Sequence, residues 1–209
     1  MIAVLDFGMG NIHSLLKAVS LYTDKFEFTS DLDKIRKADK IILPGDGHFD
    51  KAMENLNASG FSEVLKEHVA ANKPLLGICI GYQVLFEDSD ETSKKGQLIG
   101  GLGFIRGKIR KFEGKPSLTK VPHMGWNKLF EIKAKSTKLL KGIQNESFMY
   151  FIHSYRPVGV DRTDATANCR YYGESFPAVV EKGSVFGTQF HPEKSDKLGL
   201  QIIKNFIEL

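Results

Sequence analysis

Short strand-like runs alternate with amphipathic helix patterns through the first half of this chain, and that alternation most constrains what it can fold into. Ile2-Ala3-Val4-Leu5 has no polar face, the mark of a strand covered on both sides. Gly8 and Gly10 end it, Asn11 is placed to cap a helix, and Ile12, Leu15, Leu16 and Val19 recur along one helical face. Residues 26–29 and Ile41-Ile42-Leu43 read as the second and third strands, the third stopping at the breaker cluster Pro44-Gly45-Asp46-Gly47. Helical patterns over about 48–57 and 61–71 lead to a fourth strand, Leu75-Leu76-Gly77-Ile78, and Tyr82 to Glu87 continues as a helix. This order predicts an α/β fold, with a mostly parallel central sheet, right-handed crossovers and helices on both faces. Ligands on such sheets bind beyond the carboxyl ends of the strands, which makes 6–11, 44–49 and 77–83 the candidate site loops.

The second half is β-rich over 102–112, 126–132, 147–155, 165–172, 176–181 and 185–190, with one short helix at about 136–141 and a terminal helix over 195–207. Antiparallel additions to the central sheet are the natural expectation. No linker or repeat divides the 209 residues, so 1–209 reads as one domain. No apolar run is long enough to cross a bilayer, and the first residues lack a basic leader, which favours a cytoplasmic protein with no membrane partner. The net charge of +4 comes from lysines scattered among acids, not from an aromatic-interleaved stripe, so nucleic acid is not an expected partner. Two cysteines cannot by themselves build a metal site, and no cofactor motif is present.

Chemistry concentrates in two places. Gly77-Ile78-Cys79-Ile80-Gly81 is a Gly-x-Cys-x-Gly pentapeptide between a strand and a helix, the thiol version of a nucleophile elbow. There the flanking glycines remove side chains that would collide in a sharp turn. The helix N-terminus would favour the Cys79 thiolate, and the Ile80 N–H would point at a developing oxyanion. A thiol nucleophile needs a base and an orienter. Gly187-Thr188-Gln189-Phe190-His191-Pro192-Glu193 offers both, because His191 follows a strand and Glu193 lies two residues on, across a stiff proline. His48, His123 and His153 compete as bases by pattern alone, whereas His13 and His68 sit within helix patterns.

Together, Cys79, Gln83, His191 and Glu193 fill a Gly-x-Cys-x-Gly-x-Gln elbow and a distant His-Pro-Glu, and the chain resembles the class I, triad-type glutamine amidotransferases, a flavodoxin-like fold. The segments Gly8-Met9-Gly10-Asn11 and His123-Met124-Gly125-Trp126-Asn127 are similar to the branch of that family serving histidine biosynthesis. The resemblance implies that Cys79 attacks the carboxamide of L-glutamine, with His191 as proton carrier and Glu193 as its orienter. The oxyanion would rest on the backbone of Ile80 and of the loop at Asp46 and Gly47. Gln83, Ser154 and Tyr155 would hold the substrate. Asn11, His123, Trp126 and Lys194 would lie near a (β/α)8-barrel cyclase, the partner of a heterodimer into which ammonia passes. In the family the oxyanion loop is mobile, responds to the partner, and more often reads Pro-Gly-Val-Gly, so Asp46 is a departure, as are Ile80, Tyr82 and Arg156. Alternatives are a paralogue that aminates another acceptor such as a surface-polysaccharide sugar, a relict scaffold, and a partner-independent cysteine hydrolase.

Overall fold

The computed structural model describes residues 1–10, 12–93, 96–114, 120–133 and 136–209. The apolar runs of the first half become β1 (Ile2–Leu5), β2 (Phe26–Thr29), β3 (Lys40–Leu43) and β4 (Leu75–Ile78), interleaved with α1 (Ile12–Ser20), α2 (Leu32–Lys37), α3 (Phe49–Ala58) and α4 (Phe61–Ala70). Side chains alternate across the sheet as the strand period requires. Ile2, Val4, Ile42, Leu76 and Ile78 enter one core with Leu15 and Val19 of α1. Ala3, Leu5, Ile41, Leu43 and Leu75 enter the other, with Ile35, Met53, Leu56 and Leu65 of α2–α4. The sequence pattern did not mark α2; Asp31 caps it, its carboxylate accepting from the N–H groups of Asp33 and Lys34.

After β4 comes a single-turn α5 (Ile80–Gln83), then β5 (Asp88–Ser89), β6 (Ile99–Gly100), β7 (Lys108–Lys111), β8 (His123–Lys128), β9 (Phe148–His153), β10 (Tyr155–Val158), β11 (Ala165–Tyr171), β12 (Glu174–Lys182), β13 (Val185–Thr188) and α6 (Asp196–Ile207). Among the described residues the main sheet runs β11-β12-β13-β4-β3-β1-β2. From β13 to β2 the neighbours are parallel; β12 and β11 join antiparallel.

Three expectations are corrected here. Among the described residues only β11 and β12 are antiparallel additions to the central sheet; β13 joins it parallel to β4, β10-β7-β5-β6 form a second sheet and β8-β9 a two-stranded ribbon. The break falls at Ser154, where one extended segment stops pairing with β8 and starts pairing with β7. The helix expected at 136–141 is a series of turns. The Glu181 carboxylate takes the N–H groups of Lys138 and Leu139, and Thr137 Oγ1 takes that of Leu140, so the donors are satisfied without a helix. The helix expected from Tyr82 to Glu87 ends at Gln83, after which the chain turns into β5.

Parallel order has one consequence that positions everything else. The segments following β13, β4, β3 and β1 emerge at the same edge in that spatial order. Residues far apart in sequence are therefore delivered side by side.

Candidate functional site

Cys79 stands at the end of β4 with φ 55° and ψ −105°, a conformation costing about 1–3 kcal/mol for a residue with a side chain. Its N–H donates to Thr188 O at 2.9 Å, and its carbonyl accepts from the Gln83 N–H at 3.0 Å, so the strained turn is held from both sides. A side chain on Gly77 would collide with the Gly81 carbonyl, and one on Gly81 with that of Leu43; the two glycines let the elbow close against β3. Tyr82 is wholly buried and donates to Pro177 O at 2.7 Å, tying α5 to β12.

His191 arrives from the end of β13. Its N–H donates to Tyr150 O at 3.0 Å, and Ser195 Oγ donates to its carbonyl at 2.6 Å. Nδ1 lies 2.7 Å from Glu193 Oε1, with both side chains about nineteen-twentieths buried (6% and 5% exposed). Nε2 is buried and makes no conventional hydrogen bond, and it is this ring that the Cys79 sulfur influences. Burial alone lowers the His191 pKa. The neighbouring Cys79 sulfur, then Glu193, outweigh burial and raise it to about 10. The imidazolium is thus the favoured form beside the sulfur. α5 is only one turn long, so the helix dipole invoked from the sequence is a small contribution.

A cleft of about 290 Å³ opens over these groups, lined among others by Asp46, Gly47, Cys79, Ile80, Gln83, Ser154, Tyr155, His191 and Lys194. That is small for a ligand site and fits an amino acid. Gln83 donates through Nε2 to Tyr155 O (3.0 Å) and to Gln189 Oε1 (3.1 Å). The Ile80 N–H donates to Gly45 O at 3.4 Å, so the expected oxyanion donor is engaged by the loop that should complete the hole. Loop 6–10 abuts that loop: a Cβ on Gly10 would lie 3.4 Å from Gly45 Cα.

One feature of the site escapes the sequence pattern, and a second is marked there only at Trp126. Glu91 lines the cleft as a buried carboxylate. Burial raises its pKa while the Phe49 N–H (3.1 Å) and His48 Nδ1 (3.3 Å) stabilise its charge. It suits an ammonium group. No motif marks it, since its partners come from another loop. The second is an apolar face on β8-β9, where Met124 (59% exposed), Trp126 (53%) and Phe148 (49%) stand in solvent. The alternation Met124-Gly125-Trp126 was the signal available for it. Of the other residues assigned to a partner surface, Lys194 is half-buried at the cleft, His123 is 2% exposed with its ring inside an aromatic cluster, and Asn11 lies outside the described residues. His68, in contrast, is a buried core histidine bonded to Pro74 O.

Strained thiol, buried imidazole–carboxylate pair and doubly wound sheet define a cysteine-dependent amidotransferase class, and the sequence relationships agree. The family described as glutamine amidotransferase class-I matches residues 3–209, and the chain belongs to it. The chain is 47% identical over 209 residues to the imidazole glycerol phosphate synthase subunit HisH of Methanocaldococcus jannaschii, covering 100% of both chains. To the subunit of the same name from Bacillus cereus (strain G9842) it is 46% identical over 206 residues, covering 99% of this chain and 93% of that one. Solved structures with the same fold include a glutamine amidotransferase (TM-score 0.73, 16% identity, 99% and 97% of the two chains) and PurLQS from Thermotoga maritima (TM-score 0.72, 17% identity, 99% and 97%).

Proposed function

We propose that this chain is the ammonia-producing glutaminase subunit of an imidazole glycerol phosphate synthase. The observation that carries the reading is the buried Glu193–His191 pair beside the strained Cys79, with His191 raised to about 10 by those two neighbours. Cys79 attacks the side-chain carboxamide of glutamine, and the His191 imidazolium gives its proton to the departing ammonia. His191, now neutral, takes a proton from water as the water attacks the γ-glutamyl thioester, releasing glutamate and the thiol. Glu193 holds the ring and stabilises its charged form. Gln83 and the Ser154–Tyr155 backbone orient the amino-acid end of glutamine, whose ammonium meets Glu91.

The bond from the Ile80 N–H to Gly45 O must open before that N–H and those of Asp46 and Gly47 can hold an oxyanion. This supports a site that works when a second subunit moves the loop. We assign that role to a (β/α)8 cyclase in a heterodimer, docked on the exposed Met124, Trp126 and Phe148 face, because aromatic and methionine side chains concentrate at such interfaces. Passing ammonia directly across a sealed contact keeps it from protonation in bulk water. We place the reaction in the cytoplasm, where two unbridged cysteines fit a reducing compartment.

The test is L-glutamine hydrolysis by the chain with and without a cyclase subunit and its nucleotide ligand. Activity is expected to be weak alone and to rise strongly in the complex, and Cys79→Ala should abolish it by on the order of 10⁴-fold or more. Full hydrolysis by Cys79→Ala in the complex overturns the mechanism.

A further inference from the structure

Two buried histidines outside the triad, 30 residues apart in sequence, bond directly to each other: His123 Nδ1 lies 3.0 Å from His153 Nε2. The direction of this bond follows from its ends. His153 Nδ1 lies 2.7 Å from Tyr155 O, and a carbonyl only accepts, so Nδ1 carries the proton and Nε2 is left to accept. His123 therefore donates from Nδ1, and its own Nε2 accepts from Asn127 Nδ2 at 3.1 Å. Asn127 Nδ2 also donates to Arg170 O (3.0 Å), while its Oδ1 accepts from the Lys128 N–H (2.8 Å). Every nitrogen in the chain thus has one role, and both rings must be neutral. Burial keeps them so, lowering His123 to about 4 and His153, which also feels His123, to about 3.

The chain does not end in the core. Tyr155 O accepts a second bond, from Gln83 Nε2, whose other proton goes to Gln189 Oε1. A carbonyl held there by His153 decides which way the Gln83 carboxamide faces: nitrogen towards Tyr155, oxygen elsewhere. Gln83, His153 and Tyr155 line the cleft, and His123 does not. We propose that Asn127, His123 and His153 form a positioning relay that fixes the Tyr155 carbonyl and, through it, the pose of Gln83 for glutamine binding. The proposal rests on the glutaminase reading above and deepens it: affinity for glutamine is set in part by a side chain that never reaches the cleft. The strand carrying His123 also carries the exposed Met124 and Trp126, so the relay joins that outer face to the cleft.

His123→Phe is the discriminating variant. The ring of His123 stacks between Phe151 (centroids 4.7 Å) and Tyr171 (4.0 Å), so phenylalanine keeps the packing and removes only the nitrogens. His123→Asn restores a donor near the Nδ1 position. Cys79 alkylation by iodoacetamide is followed by peptide mass mapping in the full chain, with L-glutamine as protector. The expected result is an alkylation rate within about twofold of the parent, a protection constant for glutamine weakened about tenfold in His123→Phe, and at least partial recovery in His123→Asn. An unchanged protection constant in His123→Phe, even with a lower melting temperature, overturns the relay and leaves the glutaminase reading standing. Failure of glutamine to protect the parent overturns that reading and the relay with it. Should His123→Phe not fold, the imidazole ¹⁵N resonances of His123 in Cys79→Ala decide: they must move when glutamine is added, and a static His123 refutes the relay.

Discussion

His191 and the His123–His153 pair occupy equally dry surroundings, yet their proton affinities move in opposite directions, one to about 10 and the others to about 4 and 3. Burial lowers all three. The difference lies in what each ring faces. His191 is enclosed with the Cys79 sulfur and the Glu193 carboxylate, both able to carry negative charge. His123 and His153 face each other, a carbonyl, an amide and the aromatic rings of Phe112, Phe151, Tyr171 and Phe176. The same desolvation therefore leaves a protonated ring in one place, the proton carrier of the proposed mechanism, and neutral rings in the other. Burial by itself is a poor guide to which buried histidine does chemistry; the charge of its neighbours is the better one.

Removing the negative neighbour should collapse that contrast with the largest effect on function. Glu193→Gln keeps the shape and leaves His191 without a charged orienter. Hydrolysis in the complex should fall by about 10²–10⁴-fold, the range for a mispositioned proton carrier. The His191 pKa, followed by ¹⁵N shifts, should drop below about 10 because the carboxylate charge vanishes while the amide oxygen can still accept from Nδ1. Retention of both values would mean that Cys79 alone sets the ring, and Glu193 would lose its assigned role.

Stability against pH should separate the two groups next. His191 has a folded pKa above its ordinary value of 6.5, so its contribution is complete below that value and is lost as pH rises through about 10. The pair behaves in reverse. Its folded pKa values lie below 6.5, so its neutral rings leave stability intact above that pH and weaken the fold as pH falls towards about 4 and 3. At pH 5 each ring costs about 2 kcal/mol relative to pH 8, because the unfolded chain binds the proton and the folded chain does not. Urea unfolding at a series of pH values measures this, and His123→Phe should flatten the acid limb. An acid limb unchanged by that substitution would show that the carboxylates govern it.

The contrast also explains which parts of the molecule were legible in the sequence. The strands β1 to β4 and the Cys79 elbow are written in contiguous residues: apolar runs, flanking glycines, one cysteine. His191 and Glu193 are two residues apart, so their pairing is almost local. The His123–His153 bond depends on the β8-β9 register, which places those residues opposite each other, and no short pattern encodes a register. Glu91 depends on a neighbouring loop in the same way. The stretch 136–141 shows the converse failure, where local helical propensity was overridden by Glu181, a carboxylate reaching in from β12. The switch at Ser154 from one sheet to another likewise follows from which strands are already paired. Contacts between near neighbours in sequence were readable, and contacts assembled by strand pairing were not.

The gentlest perturbation probes why His123 stays neutral. Its Nε2 accepts from Asn127, a half-buried residue at the solvent side of the cluster. Asn127→Ala deletes that donor and opens a path for water while leaving the stacked rings in place. A ring nitrogen in contact with water accepts a proton more readily than one occupied by an amide, so the His123 pKa should climb from about 4 towards 6.5. The cost in stability at neutral pH should be about 1–3 kcal/mol, since the bonds to His123, Arg170 and Lys128 are all lost, and glutamine protection of Cys79 should weaken only two- to threefold because the bond to His153 survives. NMR titration of the histidines measures the first, urea unfolding the second. A His123 pKa that stays at about 4 in Asn127→Ala would locate the whole effect in the aromatic walls around the ring, and Asn127 would then drop out of the relay while His123 and His153 remained in it.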